Sequence, residues 1–118
     1  MWVFSQQAFL SIVRHIDKAN ILIVRSRFPG HIERLFPKAH VLEDAERDYR
    51  YRTELSLKEV SEAIAKMVLR IEYDNFKSSL DMNDERYLES CIDVYNAVAR
   101  GSEDFSQFHF WRRRHNEG

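Results

Sequence analysis

Arginines alternate with other residues at two places in the chain, where they could form a binding site for anions. Arg25 and Arg27 lie in the segment VRSR, and Arg50 and Arg52 lie in YRYR. Residues two apart on a strand share one face of the sheet. Guanidinium groups bind carboxylates and phosphates through paired hydrogen bonds. Together with Arg14, these residues therefore predict a basic surface on one face of a sheet.

A structural role for the same arginines is the alternative. Acidic residues are frequent nearby, and opposite charges paired across strands each contribute modestly to stability. The sequence leaves this alternative open, and the acids concerned are Glu43, Glu46, Asp48 and Glu54.

A second group of aromatic and basic residues lies near the end of the chain, in EDFSQFHFWRRRH. Aromatic side chains stack on bases and arginines hold phosphates, so single-stranded nucleic acid is one expected partner. A protein surface or an anionic membrane is another. Alternatively, the aromatics dock on the chain's own core or on a second copy, which would form a homo-oligomer. The candidate binding residues of this tail are Trp111, Arg112, Arg113 and Arg114.

The segment IEYDNFKSS, residues 71–79, interrupts a long helical pattern. Asp74 and Asn75 are types that form local turns. Tyr73, Asn75 and Phe76 are predicted to form a structural clasp between two helices. A ligand site that also uses Lys77 is the alternative, but no nucleophile or acid–base partner accompanies these residues.

Patterns typical of catalysis or metal binding are absent from the sequence. The five histidines show no paired ligand spacing, and there is no glycine-rich phosphate loop. Cys91, the single cysteine, falls on the apolar face of a predicted helix and is interpreted as a core residue. We therefore expect no catalytic residue, no metal site and no cofactor. A lone cysteine also indicates a reducing compartment, the cytoplasm.

The size and charge of the chain restrict the class of protein and the partners it can have. The 118 residues are 44% hydrophobic and 31% charged, which is ordinary for one folded soluble domain. The net charge of −1 gives no overall field that would attract nucleic acid. No apolar run approaches the ~18 residues that cross a membrane, and the start of the chain lacks the features of a signal peptide. Any electrostatic specificity must be local.

Two apolar, β-branched runs, FLSIVRHI and ILIVRSRF, predict a β-hairpin around the loop DKAN. A loop of four residues would pair Val13 with Val24. That register would put Arg14 on the same face as Arg25.

The remaining pattern predicts short strands and three helices. WVF, HVLEDA and DYRYRTEL are interpreted as strands, and PGHIERLFP as a short helix with Pro29 in its first turn. Ser56 and Glu59 match a capping box that begins an amphipathic helix ending near Ile71. A second amphipathic helix is expected over 83–100, ended by Gly101.

This order of elements predicts an α+β fold: a small antiparallel sheet with helices packed on one face and two longer C-terminal helices. The predicted organisation is a single domain over residues 1–101, followed by the tail over 102–118.

Several segments resemble a family of short bacterial proteins. The resemblance rests on the Met-Trp start and on LIVRSR, IERLFP, DYRYR and, most specifically, IEYDNFK. It extends from Met1 to about Arg100, and the chain departs from the pattern from about Ser102. The family brings no known activity, so the resemblance implies a domain boundary and no chemistry.

These observations favour a non-enzymatic binding or interaction domain that acts on a protein partner. A small inhibitor or accessory protein, such as those of phages and mobile elements, belongs to this class. The alternative is a nucleic-acid-binding module that uses the sheet arginines and the tail.

Overall fold

The computed structural model describes residues 1–103, and the predicted tail residues Trp111, Arg112, Arg113 and Arg114 lie outside them. The described residues form two compact units, Met1–Leu80 and a second that begins at Asp81. The first unit contains β1 (Trp2–Phe4), β2 (Phe9–Arg14), β3 (Ile21–Ser26), α1 (His31–Leu35), β4 (Leu42–Glu43), β5 (Tyr51–Ser56), α2 (Leu57–Leu69) and α3 (Phe76–Ser79). The second contains α4 (Glu85–Glu103).

The five strands form one antiparallel sheet in the order β1-β2-β3-β5-β4. With α2 and α4 as the longer helices, this arrangement confirms the predicted α+β fold. Consecutive strands pair except where α1 and β4 intervene, and β5 then returns beside β3. That return brings the two arginine-containing segments together.

One face of the sheet carries the core of the first unit. Alternate residues of the central strands face α1 and α2, as the period of two requires, and most of them are apolar. The fully or largely buried members are Ala8, Leu10, Ile12, Val24, Ile32, Phe36, Leu55 and Val60. The opposite face of the sheet is turned away from α1 and α2.

The hairpin register differs by one residue from the prediction. Val13 pairs with Ile23 rather than Val24, and Arg14 pairs with Leu22. The turn holds five residues, 16–20, because the His15 N–H still donates to the carbonyl of Ile21 at 3.0 Å. A slip of one residue moves side chains to the other face, so Arg14 lies on the face opposite to Arg25.

The start of α2 and its Ser56 cap are confirmed, although the Glu59 carboxylate contacts the Ser56 hydroxyl and not the backbone N–H that a capping box predicts. The hydroxyl of Ser56 accepts a hydrogen bond from the Glu59 N–H at 3.0 Å, and it also lies 3.1 Å from the Glu59 carboxylate. α2 ends at Leu69, two residues before the predicted end at Ile71.

Three further predictions are corrected. Pro29 lies before α1, since Gly30 takes a left-handed conformation with φ 82° as the N-cap. The predicted strand over DYRYRTEL begins only at Tyr51, so Arg50 belongs to the preceding loop. α4 continues through Gly101 to Glu103, because a glycine inside a helix is tolerated at a modest cost of about 1 kcal/mol.

Candidate functional site

Arg25 and Arg52 lie directly opposite each other on β3 and β5. Both side chains are half-buried on the face of the sheet that is turned away from α1 and α2. Residues in this relation have Cβ atoms roughly 4.5–5.5 Å apart, and like charges so placed destabilise a sheet. The two guanidinium groups therefore repel each other, and an anion between or beside them would relieve the repulsion.

Arg25 is held in place by two contacts on this face. Its Nη2 donates to the hydroxyl of Ser11 at 2.7 Å, and Ser11 is its cross-strand neighbour on β2. Its guanidinium carbon lies 4.5 Å from the ring centre of Tyr49, while that of Arg27 lies 5.0 Å from the same ring. The ring thus orients two cations through cation–π attraction.

Among residues 1–103, no hydrogen bond supports the Arg52 side chain. Burial lowers the pKa of its guanidinium, and the nearby charges of Arg47 and Arg25 lower it further, while Asp44 opposes the shift. The Nε–H groups of Arg25 and Arg52 are both shielded from water and lack an acceptor in this part of the chain. Buried polar groups in proteins are almost always hydrogen-bonded, so two such groups side by side call for an explanation.

Of the nearby acids, Glu43, Asp44 and Glu54 are engaged with other cations, whereas Glu46 and Asp48 form no ion pair with residues 1–103. Arg50 pairs with Glu43 at 2.8 Å, and Arg47 pairs with Asp44 at 3.2 Å. Lys18 and His15 both contact the carboxylate of Glu54 at 3.0 Å. The predicted structural role therefore holds for Arg50. Among residues 1–103, no ion pair neutralises Arg25 or Arg52.

Of the arginines predicted to share a face, Arg25, Arg27 and Arg52 come together, whereas Arg14 does not. Arg14 is exposed on the other face, and Arg50 is occupied by its carboxylate. We name Ser11, Arg25, Arg27, Tyr49 and Arg52 the arginine face.

Two of these contributors are not singled out by the sequence pattern. Tyr49 lies in the loop between β4 and β5. If DYRYR were a strand throughout, Tyr49 would be on the face opposite to its neighbour Arg50. The role of Ser11 as a partner of Arg25 can be recognised only when the register of β2 against β3 is known.

An aromatic cluster borders the arginine face. Trp2 is opposite Ser11, in the same cross-strand row as Arg25, and it is 70% exposed. Its ring meets Phe9 edge-on at 6.2 Å, and Phe9 stacks on Phe4 at 4.3 Å. Trp2 lies two strands from Arg25 and three from Arg52, so this side of the sheet has an exposed aromatic ring as well as cations.

The segment that was predicted to form a clasp folds as a local turn within the first unit. The amide oxygen of Asn75 accepts from the Ser78 N–H at 3.0 Å and caps α3. The rings of Tyr73 and Phe76 are 6.1 Å apart, and both residues are half-buried. This supports the structural interpretation of the segment, while its predicted role between two helices stays a prediction.

Cys91 is buried on α4, in agreement with its interpretation as a core residue. Burial raises the pKa of its thiol, although a hydrogen bond with Tyr87 acts in the other direction. A thiol with a raised pKa is a poor nucleophile at neutral pH. Within residues 1–103, no group of three or more His, Cys, Asp or Glu side chains could hold a metal ion.

The first unit also contains an open cleft of about 650 Å³. Its lining combines apolar residues, such as Phe36, Ile64 and Met67, with charges of both signs on α1 and α2. This mixture does not select one class of ligand. No helix among the described residues is long and apolar enough to cross a membrane.

Comparison with known proteins adds no relative. No protein-family model, no curated protein and no solved structure matches the chain. The resemblance to the family of short bacterial proteins therefore stays a prediction, and a functional argument has to start from the arginine face.

Proposed function

We propose that this chain is a non-enzymatic interaction module that binds an acidic segment of a partner protein through the arginine face. The observation that carries the proposal is the direct opposition of Arg25 and Arg52 without a neutralising carboxylate in residues 1–103. The repulsion between these arginines lowers the stability of the free protein, and an acidic partner would neutralise their charge. A small inhibitor or accessory protein acts in this way.

Two features support a protein partner. The arginine face has only three cations without an ion pair in residues 1–103, namely Arg25, Arg52 and the exposed Arg27, and the whole chain carries a net charge of −1. Such a local patch suits a short acidic segment better than a long polyanion, whose binding grows with the number of phosphates contacted. Arginine and tryptophan are also enriched among the residues that dominate protein interfaces, and Trp2 is exposed beside the patch.

The single cysteine supports a reducing compartment such as the cytoplasm.

The proposal is tested by co-purification from the native host with a matched pair of variants. Arg25→Gln with Arg52→Gln removes the pair, whereas Arg50→Gln removes an arginine that is already neutralised by Glu43. We expect the double variant to lose the partner and the control to keep it, with nuclease treatment changing neither result. Retention of the partner by a folded double variant would refute the proposal.

Single-stranded nucleic acid is a second candidate, favoured by the exposed ring of Trp2 in the same row as Arg25. Bases stack on such rings while arginines hold the phosphates. Fluorescence anisotropy with a labelled oligonucleotide at two salt concentrations separates the candidates. Binding that falls steeply with salt would favour nucleic acid, since each neutralised phosphate releases counterions.

A further inference from the structure

The charge and shape of the Arg25–Arg52 pair restrict the anionic group that suits it. Two cations face one another across two neighbouring strands, and the contacts with Ser11 and Tyr49 keep Arg25 from swinging away. A carboxylate carries one negative charge and two oxygens. A phosphate monoester carries close to two charges at neutral pH and has three strong acceptor oxygens.

We propose that the Arg25–Arg52 pair is a binding site for the dianionic group of a phosphate monoester. This inference rests on the proposed function, because it names the chemical group that the arginine face recognises. One dianion neutralises both guanidinium groups, while its three oxygens can accept from donors on both strands. A carboxylate or a phosphodiester, each with one negative charge, leaves one of the two cations uncompensated.

The unsatisfied Nε–H groups agree with such a ligand. In the free protein both are shielded from water and neither has an acceptor among the described residues. A small rotation of each guanidinium would turn its Nε edge toward a bound oxyanion, which supplies the missing acceptors. Paired Nε–H and Nη–H donors match the two-oxygen edge of a phosphate.

Among residues 1–103, no acid forms an ion pair with Arg25 or Arg52. Asp44, whose charge raises the pKa of Arg52, already contacts Arg47 at 3.2 Å. A hydrogen bond from the Glu46 N–H is the main cause that lowers the pKa of the Asp44 carboxyl. Asp44 is therefore ionised at pH 5 and above, and its charge does not change over the range used below. Glu54 and His15, farther along the same face, contact each other.

The test follows the Arg Nε–Hε signals of the full chain by nitrogen-15 NMR during four titrations. The probes are a short peptide with one phosphoserine, the same peptide with glutamate in its place, glycerol phosphate, and a single-stranded oligonucleotide without terminal phosphates. We expect the phosphoserine peptide to shift the Arg25 and Arg52 signals with about tenfold or higher affinity than the glutamate peptide. The shift of the Arg25 signal should vanish in Arg52→Gln, and both shifts should persist in Arg50→Gln.

A pH comparison tests the charge argument. The second pKa of a phosphate monoester is about 6, so its dianion fraction falls roughly tenfold between pH 7.5 and 5.0. Phosphoserine affinity should fall by about the same factor. The glutamate peptide, whose side chain titrates near 4.3, keeps most of its charge and controls for changes in the protein.

Each other outcome has a defined meaning. Equal binding of the glutamate and phosphoserine peptides would refute the monoester site and leave the proposed function standing. Stronger binding of the oligonucleotide would refute both. Tighter binding of glycerol phosphate than of the peptide would support the monoester site but contradict a protein partner. Absence of any shift at Arg25 and Arg52 with all four probes would overturn both proposals.

Discussion

Arg25 and Arg52 oppose each other across β3 and β5, and each holds a buried Nε–H group without an acceptor in the described part of the chain. Proteins rarely keep such a pair for stability, since like charges at directly opposite positions weaken a sheet. The repulsion between Arg25 and Arg52 lowers the stability of the free protein. The same two charges prepare this position to bind an anion.

Arg52→Met should therefore stabilise the free protein. Methionine keeps an apolar stem but removes the repelling charge, so the free energy of unfolding should rise by about 0.2–1 kcal/mol. Urea denaturation measures it, and added salt should stabilise the wild type more than the variant. Arg50→Met is the control, since it removes an exposed cation that is paired with Glu43. A loss of more than 1 kcal/mol in Arg52→Met would mean that the charge is structurally required.

Asn20 should be required for the observed hairpin register. It takes a left-handed conformation with φ 59°, and its carbonyl accepts from the Leu57 N–H at 2.8 Å. Asn20→Val should cost about 1–2 kcal/mol because a β-branched residue is strained there. Asn20→Gly should be nearly neutral, and the exposed Ala19→Val serves as the control. Equal stability of Asn20→Val and Ala19→Val in urea would contradict this role.

The hairpin also shows which part of the fold the sequence could predict. Apolar, β-branched runs indicated both strands, and the capping-box pattern indicated α2. The register differs because the turn has five residues and not the predicted four. Within this turn, the Nδ1 atom of His15 accepts hydrogen bonds from the N–H groups of Asp17 and Lys18 at 3.0 Å. A local side-chain contact of this kind leaves no periodic signal.

The candidate site was predictable to a similar degree. Period two correctly put Arg25 and Arg27 on one face, because that relation is local. Whether Arg25 meets Arg52 depends on pairing between distant strands, and Tyr49 reaches the face from a loop. The choice between paired and unpaired arginines depends on which acid each one reaches, and composition cannot resolve it.

The cap of α2 should contribute measurably to stability. Ser56→Ala removes the acceptor for the Glu59 N–H, and loss of an N-cap typically costs about 0.5–2 kcal/mol. Ser61→Ala is a matched control in the same helix. Its hydroxyl donates to the Leu57 carbonyl at 2.6 Å, a bond that adds little to helix stability. Thermal or urea denaturation should destabilise the first variant alone, and equal losses would contradict the capping role.

Phe76 should contribute less than a core aromatic. The ring is half-buried against Tyr73, so Phe76→Ala should cost roughly 1–2 kcal/mol rather than the ~3–5 of a fully buried position. The exposed Asp74→Ala controls for changes in the turn. A loss below about 0.5 kcal/mol in denaturant would show that the aromatic contact is not a clasp and would favour a ligand-binding role for the segment.

Glu54 should give stability an acid-sensitive component. The hydrogen bond from Lys18 is the main cause that holds the pKa of Glu54 below its ordinary value of 4.5, and the contact with His15 lowers it further. Because the folded pKa is below the unfolded one, the contribution is fully present above about pH 4.5 and is lost as pH falls through the lowered value. Carbon-13 NMR of the Glu54 carboxyl measures the shift directly.

Lys18→Met should move the pKa of Glu54 upward, toward its ordinary value, because the principal donor is gone. In urea denaturation between pH 3 and 6, Glu54→Gln should show a weaker loss of stability on the acid side than the wild type. Glu46→Gln is the control, since Glu46 forms no ion pair with residues 1–103. If Glu54→Gln and the wild type lost stability in parallel, the two cations would be surface neighbours without energetic consequence, as exposed ion pairs often are.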